Sequence, residues 1–261
     1  MCYLERKGAL SYMLKTTKNK LAFTMAEVLI TLGIVGVIAA MTLPAIMQKN
    51  TNKVVEARLA KFYTSINQAL LRAEEIHGDR KYWYQDKNTV IKDEDGKVVR
   101  GASDVEKWWD FYIAPHMNTI KISYDEDDLP QFHFEDGSVL VARHPDGMRD
   151  WLFYVGDPER CKRRYQGTSG YGKCAFLFVY MPGIEGNDLY NSPMWEHHLN
   201  KGFEPYKYGW DGSLEGLKKN KFGGCNADKY ETRGVSQLYC SALIQYYGWT
   251  IPKDYPFTVS Y

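Results

Sequence analysis

The chain has 261 residues, 33 of them basic and 32 acidic, for a formal charge of +1. A molecule coated with a nucleic-acid-binding surface would carry a clear excess of Lys and Arg, which is absent here. A hydrophobic content of 44% with 25% charged residues excludes wholesale disorder, and the length allows one or two domains with a sizeable core.

The first element is an uncharged run of 20 residues, Val28 to Met47. As a helix it spans about 30 Å, the thickness of a bilayer's hydrocarbon core. Lys15, Lys18 and Lys20 precede it, with Arg6 and Lys7 further back. Such a flank predicts a single-pass membrane segment with its N-terminus in the cytoplasm and the body of the chain outside. A buried core helix seldom runs so far without a charge. A cleaved secretory signal fits poorly, because Ile38 and Leu43 stand where small residues should precede a cut at Ala40 or Ala45. A plain signal anchor leaves Glu27 unexplained: a lone carboxylate at the entrance of an apolar span costs at least a few kcal/mol. A partner for that charge is expected.

The stretch Lys20-Leu21-Ala22-Phe23-Thr24-Met25-Ala26-Glu27-Val28-Leu29-Ile30 resembles the prepilin cleavage and methylation signal of type IV pilins and type II secretion pseudopilins. The resemblance implies a leader over residues 1–22, cut by prepilin peptidase between Ala22 and Phe23, and N-methylation of Phe23. It also implies that Glu27 meets the new terminal amine of a neighbouring subunit during filament assembly. Ala22 stands where the family usually has Gly, and Met13 is a second candidate start. The implied partners are like subunits and other pilins, the peptidase, an inner-membrane assembly platform and the bilayer.

Pro44, with Gly33 and Gly36 upstream, is expected to kink or loosen the helix. Beyond it Val55, Leu59, Phe62, Ile66, Ala69, Ala73 and Ile76 recur at helical spacing, with Lys53, Arg58, Lys61, Ser65, Gln68 and Arg72 on the other side. The helix therefore extends over 23–77, apolar all round and then amphipathic, with Gly78 as its stop.

Residues 78–261 read as an extracytoplasmic head. Ser103-Asp104-Val105-Glu106 is a capping box opening a short helix that carries Val105, Trp108, Trp109, Tyr112 and Ile113 to Pro115. Phe132 to Phe134 and Val139 to Val141 flank a turn and predict a β-hairpin. Trp151 to Val155 and Ala175 to Tyr180 are further strands, and Ser236 to Tyr247 reads as a helix ending at Gly248. A few antiparallel strands packed on a long N-terminal helix give an α+β fold, which is also the pilin-like architecture the resemblance implies.

Cys2 falls in the leader, leaving Cys161, Cys174, Cys225 and Cys240 in the exported part. Disulfides are expected, and neighbour pairing would close two short loops worth roughly 3 kcal/mol each. Three connectivities are open. A zinc site is the rival reading, but no C-x-x-C is present. The end of the chain, Cys240-Ser241-Ala242-Leu243-Ile244 through Gly248-Trp249 to Asp254-Tyr255-Pro256, resembles the C-terminus of a group of bacterial secretion-type pilin-like proteins. That group implies an Asp-x-Asn-Gly segment after the central strand, where this chain has Val179-Tyr180-Met181-Pro182-Gly183.

Catalytic motifs are absent: no H-E-x-x-H, phosphate loop or G-x-S-x-G occurs. Glu196-His197-His198 is a metal candidate, but adjacent histidines point apart on any regular element. Asp93-Glu94-Asp95-Gly96 and Asp125 to Asp128 lack EF-hand spacing and read as solvated loops. Lys162-Arg163-Arg164 reads as a solvated basic loop. Trp195, Tyr206, Tyr208 and Trp210 mark a candidate contact surface for sugars or partner subunits.

The expected protein is a structural filament subunit, not an enzyme, without cofactor or metal. It is inserted in the inner membrane and then assembled in the periplasm or at the cell surface. A head of 184 residues points to a minor subunit. A monomeric membrane-anchored binding protein or hydrolase is the alternative. Residues 1–22 hold five basic groups and one acid, so the remaining 28 basic and 31 acidic residues give the exported body a charge of −3.

Overall fold

The computed structural model describes residues 24–83, 90–144, 147–183, 192–227 and 237–261. The chain divides into two compact units, Met1–Ala45 and Ile46–Tyr261. Helix α1, Met25–His77, begins in the first and continues into the second, and its helical course runs through Pro44 without a break. The amphipathic half of α1 is thus counted with the head.

Within the second unit six strands form one antiparallel sheet: β1 Lys121–Tyr124, β2 Pro130–His133, β3 Val139–His144, β4 Gly147–Tyr154, β5 Ala175–Tyr180 and β6 Phe203–Pro205. Their spatial order is their chain order. The sheet is central because both its faces are covered. Leu140, Ala142, Trp151, Phe153, Phe176, Phe178 and Tyr180 share a cluster with Val55, Leu59, Phe62, Ile66, Ala69 and Leu70 of α1. The alternate residues, Val139, Val141, Leu152, Tyr154, Ala175 and Leu177, pack with Leu217, Tyr239, Ala242 and Leu243. These last residues come from and around helices α4, Leu214–Lys219, and α5, Cys240–Tyr246. A strand side chain reverses face at every step, so β5, buried at all six positions, needs apolar cover on both sides.

The helix α2, Asp104–Trp108, opens with the expected capping box. Glu106 is buried and accepts from Gly101 N at 2.8 Å, from Ser103 Oγ at 2.6 Å and from the Tyr124 hydroxyl. A single π turn, Trp109–Ile113, and a 3-10 turn over Ala114–His116 follow. Helix α5 begins at Cys240, later than expected; Ser236 lies outside the described residues. It stops where Gly248 turns left-handed at φ 65°.

Three expectations need correction. Ile76 is 65% exposed, while Leu70, off the expected stripe, is fully buried; the periodicity marks the inward face but not where the sheet ends. Lys162-Arg163-Arg164 lies on a helix, α3, Pro158–Arg164, whose N-cap is Asp157. Lys162 is committed to Asp125 at 3.3 Å. The Trp195, Tyr206 and Tyr208 rings pack together on Val179 and Met181, and Trp210 donates its indole N–H to Ser213 O at 2.7 Å. Trp195 is buried and the other three are half-buried, so packing takes up most of the surface expected to face outwards.

Candidate functional site

The most unusual surface lies at the start of α1. An 18-residue window there has mean hydropathy 2.3 and none of it is buried. Leu29, Ile30, Leu32, Ile34, Val35, Val37, Ile38, Met41 and Leu43 are all more than half exposed. Helix α1 is long and apolar enough to cross a membrane. Its hydroxyls are satisfied within the helix: Thr31 Oγ1 donates to Val28 O at 3.0 Å and Thr42 Oγ1 to Ile38 O at 2.9 Å. Internal satisfaction of this kind is what hydrocarbon surroundings demand.

Glu27 stands at the mouth of this segment. Its carboxylate accepts from Thr24 N at 2.8 Å and from Thr24 Oγ1 at 2.9 Å, while Glu27 N donates back to Thr24 Oγ1 at 3.1 Å. This reciprocal arrangement is a capping box, so the side chain has a local role besides the intersubunit one expected of it. The expected cleavage and methylation positions, Ala22 and Phe23, lie outside the described residues.

In the head, the disulfides are Cys161–Cys174 and Cys225–Cys240. The first ties α3 to the turn before β5; the second ties the loop after α4 to the first residue of α5. All four cysteines belong to the same buried cluster. Neighbour pairing is therefore the connectivity among the three.

The candidate metal clusters serve other ends. His198 is fully buried, with Lys207 N donating to its Nε2 at 2.9 Å, whereas His197 meets Trp210 O at 3.1 Å. The two rings have different partners. Asp93 Oδ1 accepts from Asp95 N and Lys97 N, and Asp125 Oδ1 from Asp127 N and Leu129 N, so both aspartates organise turns. Among the described residues no group of three or more His, Cys, Asp or Glu could hold a metal ion. At the segment Val179 to Gly183, Met181, Pro182 and Gly183 are buried, and Asn200 N donates to Met181 O at 3.2 Å.

A family model matches residues 45–259 and describes a family of unknown function (DUF6613). The chain belongs to this family. The match begins one residue before the second compact unit, which starts at Ile46, so it covers the head and leaves out all but the last three residues of the apolar segment. No curated protein and no solved structure matches the chain.

Clefts open on the head, among them two lined by both charged and aromatic side chains. One, of about 350 Å³, lies between Lys61, Gln68 and Arg72 of α1 and Asp136 in the β2–β3 turn, and is crossed by the Lys61–Asp136 ion pair at 3.3 Å. The other, of about 560 Å³, is walled by Trp83 and by aromatic residues of α2 and the π turn. Sequence reasoning placed Trp108 and Tyr112 in a helix but missed this cleft. Phe111, an aromatic outside the apolar set Trp108, Trp109, Tyr112 and Ile113 and 57% exposed, was the available signal.

Proposed function

We propose that the protein is a structural subunit, of the minor kind, in a type IV pilus or type II secretion filament, held in the membrane and then assembled through the apolar start of α1. The observation that carries this reading is the wholly exposed apolar segment with one carboxylate at its mouth, directly after the prepilin-like Lys20 to Phe23. A long apolar N-terminal helix, an antiparallel sheet and two disulfides agree with a pilin-like layout. In this reading the apolar half-helices bundle, and Glu27 sets register by pairing with the amine of Phe23 on a neighbour. Two charges that are each costly in lipid are then neutralised together.

The capping box supplies the control. Glu27→Ala removes both cap and charge, whereas Thr24→Val removes the cap and keeps the charge. Either should fray the first turn by about 1 kcal/mol. The expected result is membrane insertion of both variants but filament incorporation of Thr24→Val only, scored by cross-linking to wild-type subunits. Equal loss in both variants would assign Glu27 to capping alone and remove the assembly role.

The aromatic-walled cleft favours a second reading, a monomeric anchored binding protein. Mass spectrometry of the native N-terminus separates the two. N-methylated Phe23 establishes the filament subunit, and an intact leader the anchored monomer.

A further inference from the structure

The second cleft of the head has the chemistry of a small-molecule site, and its reading holds whether or not the chain assembles into filaments. Its volume of about 560 Å³ is that of an ordinary ligand pocket. Asp104, Lys107 and Trp108 share one face of α2, and the π turn brings Asp110, Phe111 and Tyr112 to the same opening. A π turn departs from the regular ladder and tends to occur at functional sites.

The wall is aromatic. The Trp83 and Tyr112 rings stack at 4.0 Å and 11°, with Trp108 beyond at 6.3 Å from Trp83. His77 braces Tyr112 edge-on at 5.1 Å. Phe111, 57% exposed, extends this apolar surface towards solvent. The polar groups around it are uncommitted: the side chains of Asp104, Lys107 and Asp110 make no hydrogen bond or ion pair among the described residues. Partial burial, and then the charge of Glu106, raises the pKa of Asp110, as expected of a carboxylate lacking a donor. Trp108 is 4% exposed, and its buried indole N–H has no acceptor among the described residues.

These features select a ligand class. Flat rings accept the C–H face of a pyranose, carboxylates accept hydroxyl protons, and the Lys107 ammonium donates to hydroxyl or ring oxygens. A phosphate-bearing ligand would face two carboxylates. A simple organic cation would satisfy the carboxylates and rings but would be repelled by Lys107. We infer that the cleft walled by Trp83, Trp108, Phe111 and Tyr112 and edged by Asp104, Lys107 and Asp110 is a saccharide-binding site.

The test uses the full chain in a polyoxyethylene detergent, which carries neither sugar nor cation. Maltohexaose, cellohexaose and N-acetylchitohexaose are titrated separately, read by tryptophan fluorescence and by the Trp108 indole N–H resonance. At least one should saturate and shift that resonance. Asp110→Asn and Phe111→Ala, both at exposed positions, should each weaken it at least about fivefold with unchanged thermal midpoints. Tetramethylammonium is the counter-probe. The inference is overturned if none of the three sugars saturates, if both variants bind as wild type, or if tetramethylammonium saturates the site more tightly than every sugar.

Discussion

At the scale of single residues, the same four-residue device occurs twice with different consequences. Thr24 and Glu27 cap α1 where the chain is exposed, and Ser103 and Glu106 cap α2 where it is buried. The second was legible from spacing alone. The first was not, because the prepilin-like signal gives Glu27 another explanation and spacing cannot rank the two. His198 is a case sequence could not reach. Its burial depends on β6 and on Trp195, whose ring meets it edge-on at 5.4 Å. Burial, and then the charge of Lys207, pushes the His198 pKa down to about 3. The unfolded chain therefore takes up the proton first. The contribution is fully present above about pH 6.5 and is lost as pH falls towards 3, about 2–3 kcal/mol being gone at pH 4.5. Urea unfolding at pH 7 and pH 4.5 should show that difference in the wild type and a smaller one in His198→Gln, which cannot titrate. An equal difference in both would place the acid sensitivity elsewhere.

At the scale of elements, the joint between α1 and the sheet turns on Phe62. Its ring stacks on Phe153 at 4.2 Å and meets Phe178 edge-on at 5.1 Å, with Phe203 at 6.0 Å and Phe134 at 6.1 Å. Phe62→Ala should cost about 3–5 kcal/mol, because the four rings around it cannot collapse into the space it leaves. Leu71→Ala, on the outer face and 59% exposed, should stay within about 0.5 kcal/mol. Denaturant midpoints of the two variants check this, and similar values would mean that the helix does not rely on that face. Strong periodicity made α1, β3, β4 and β5 readable. The edge strands β1 and β6 were not, since Lys121-Ile122-Ser123-Tyr124 is only partly buried and β6 is three residues ending in proline. No local pattern distinguishes a π turn from the α-helix it continues, so the cleft at Asp110 and Phe111 was hidden as well.

At the scale of the whole molecule, composition averaged two unlike pieces. The apolar segment lies in one compact unit, and the layered head, with both disulfides on the sheet face opposite α1, forms the other. A chain begun at Ile46 retains every residue of the three buried clusters. It should unfold cooperatively and run as a monomer without detergent in gel filtration, whereas the full chain should need detergent. Aggregation of the shorter chain would show that the first unit is needed for the head to fold. The meander has one more consequence, in time rather than space. Each strand pairs with the strand made just before it, but Phe62 must wait for Phe178, 116 positions later. At about 5–20 residues per second, the inward stripe of α1 spends roughly 6 to 23 seconds of synthesis without the sheet that covers it. During that interval it is an uncovered amphipathic helix, and a factor that shields such helices would find its substrate there.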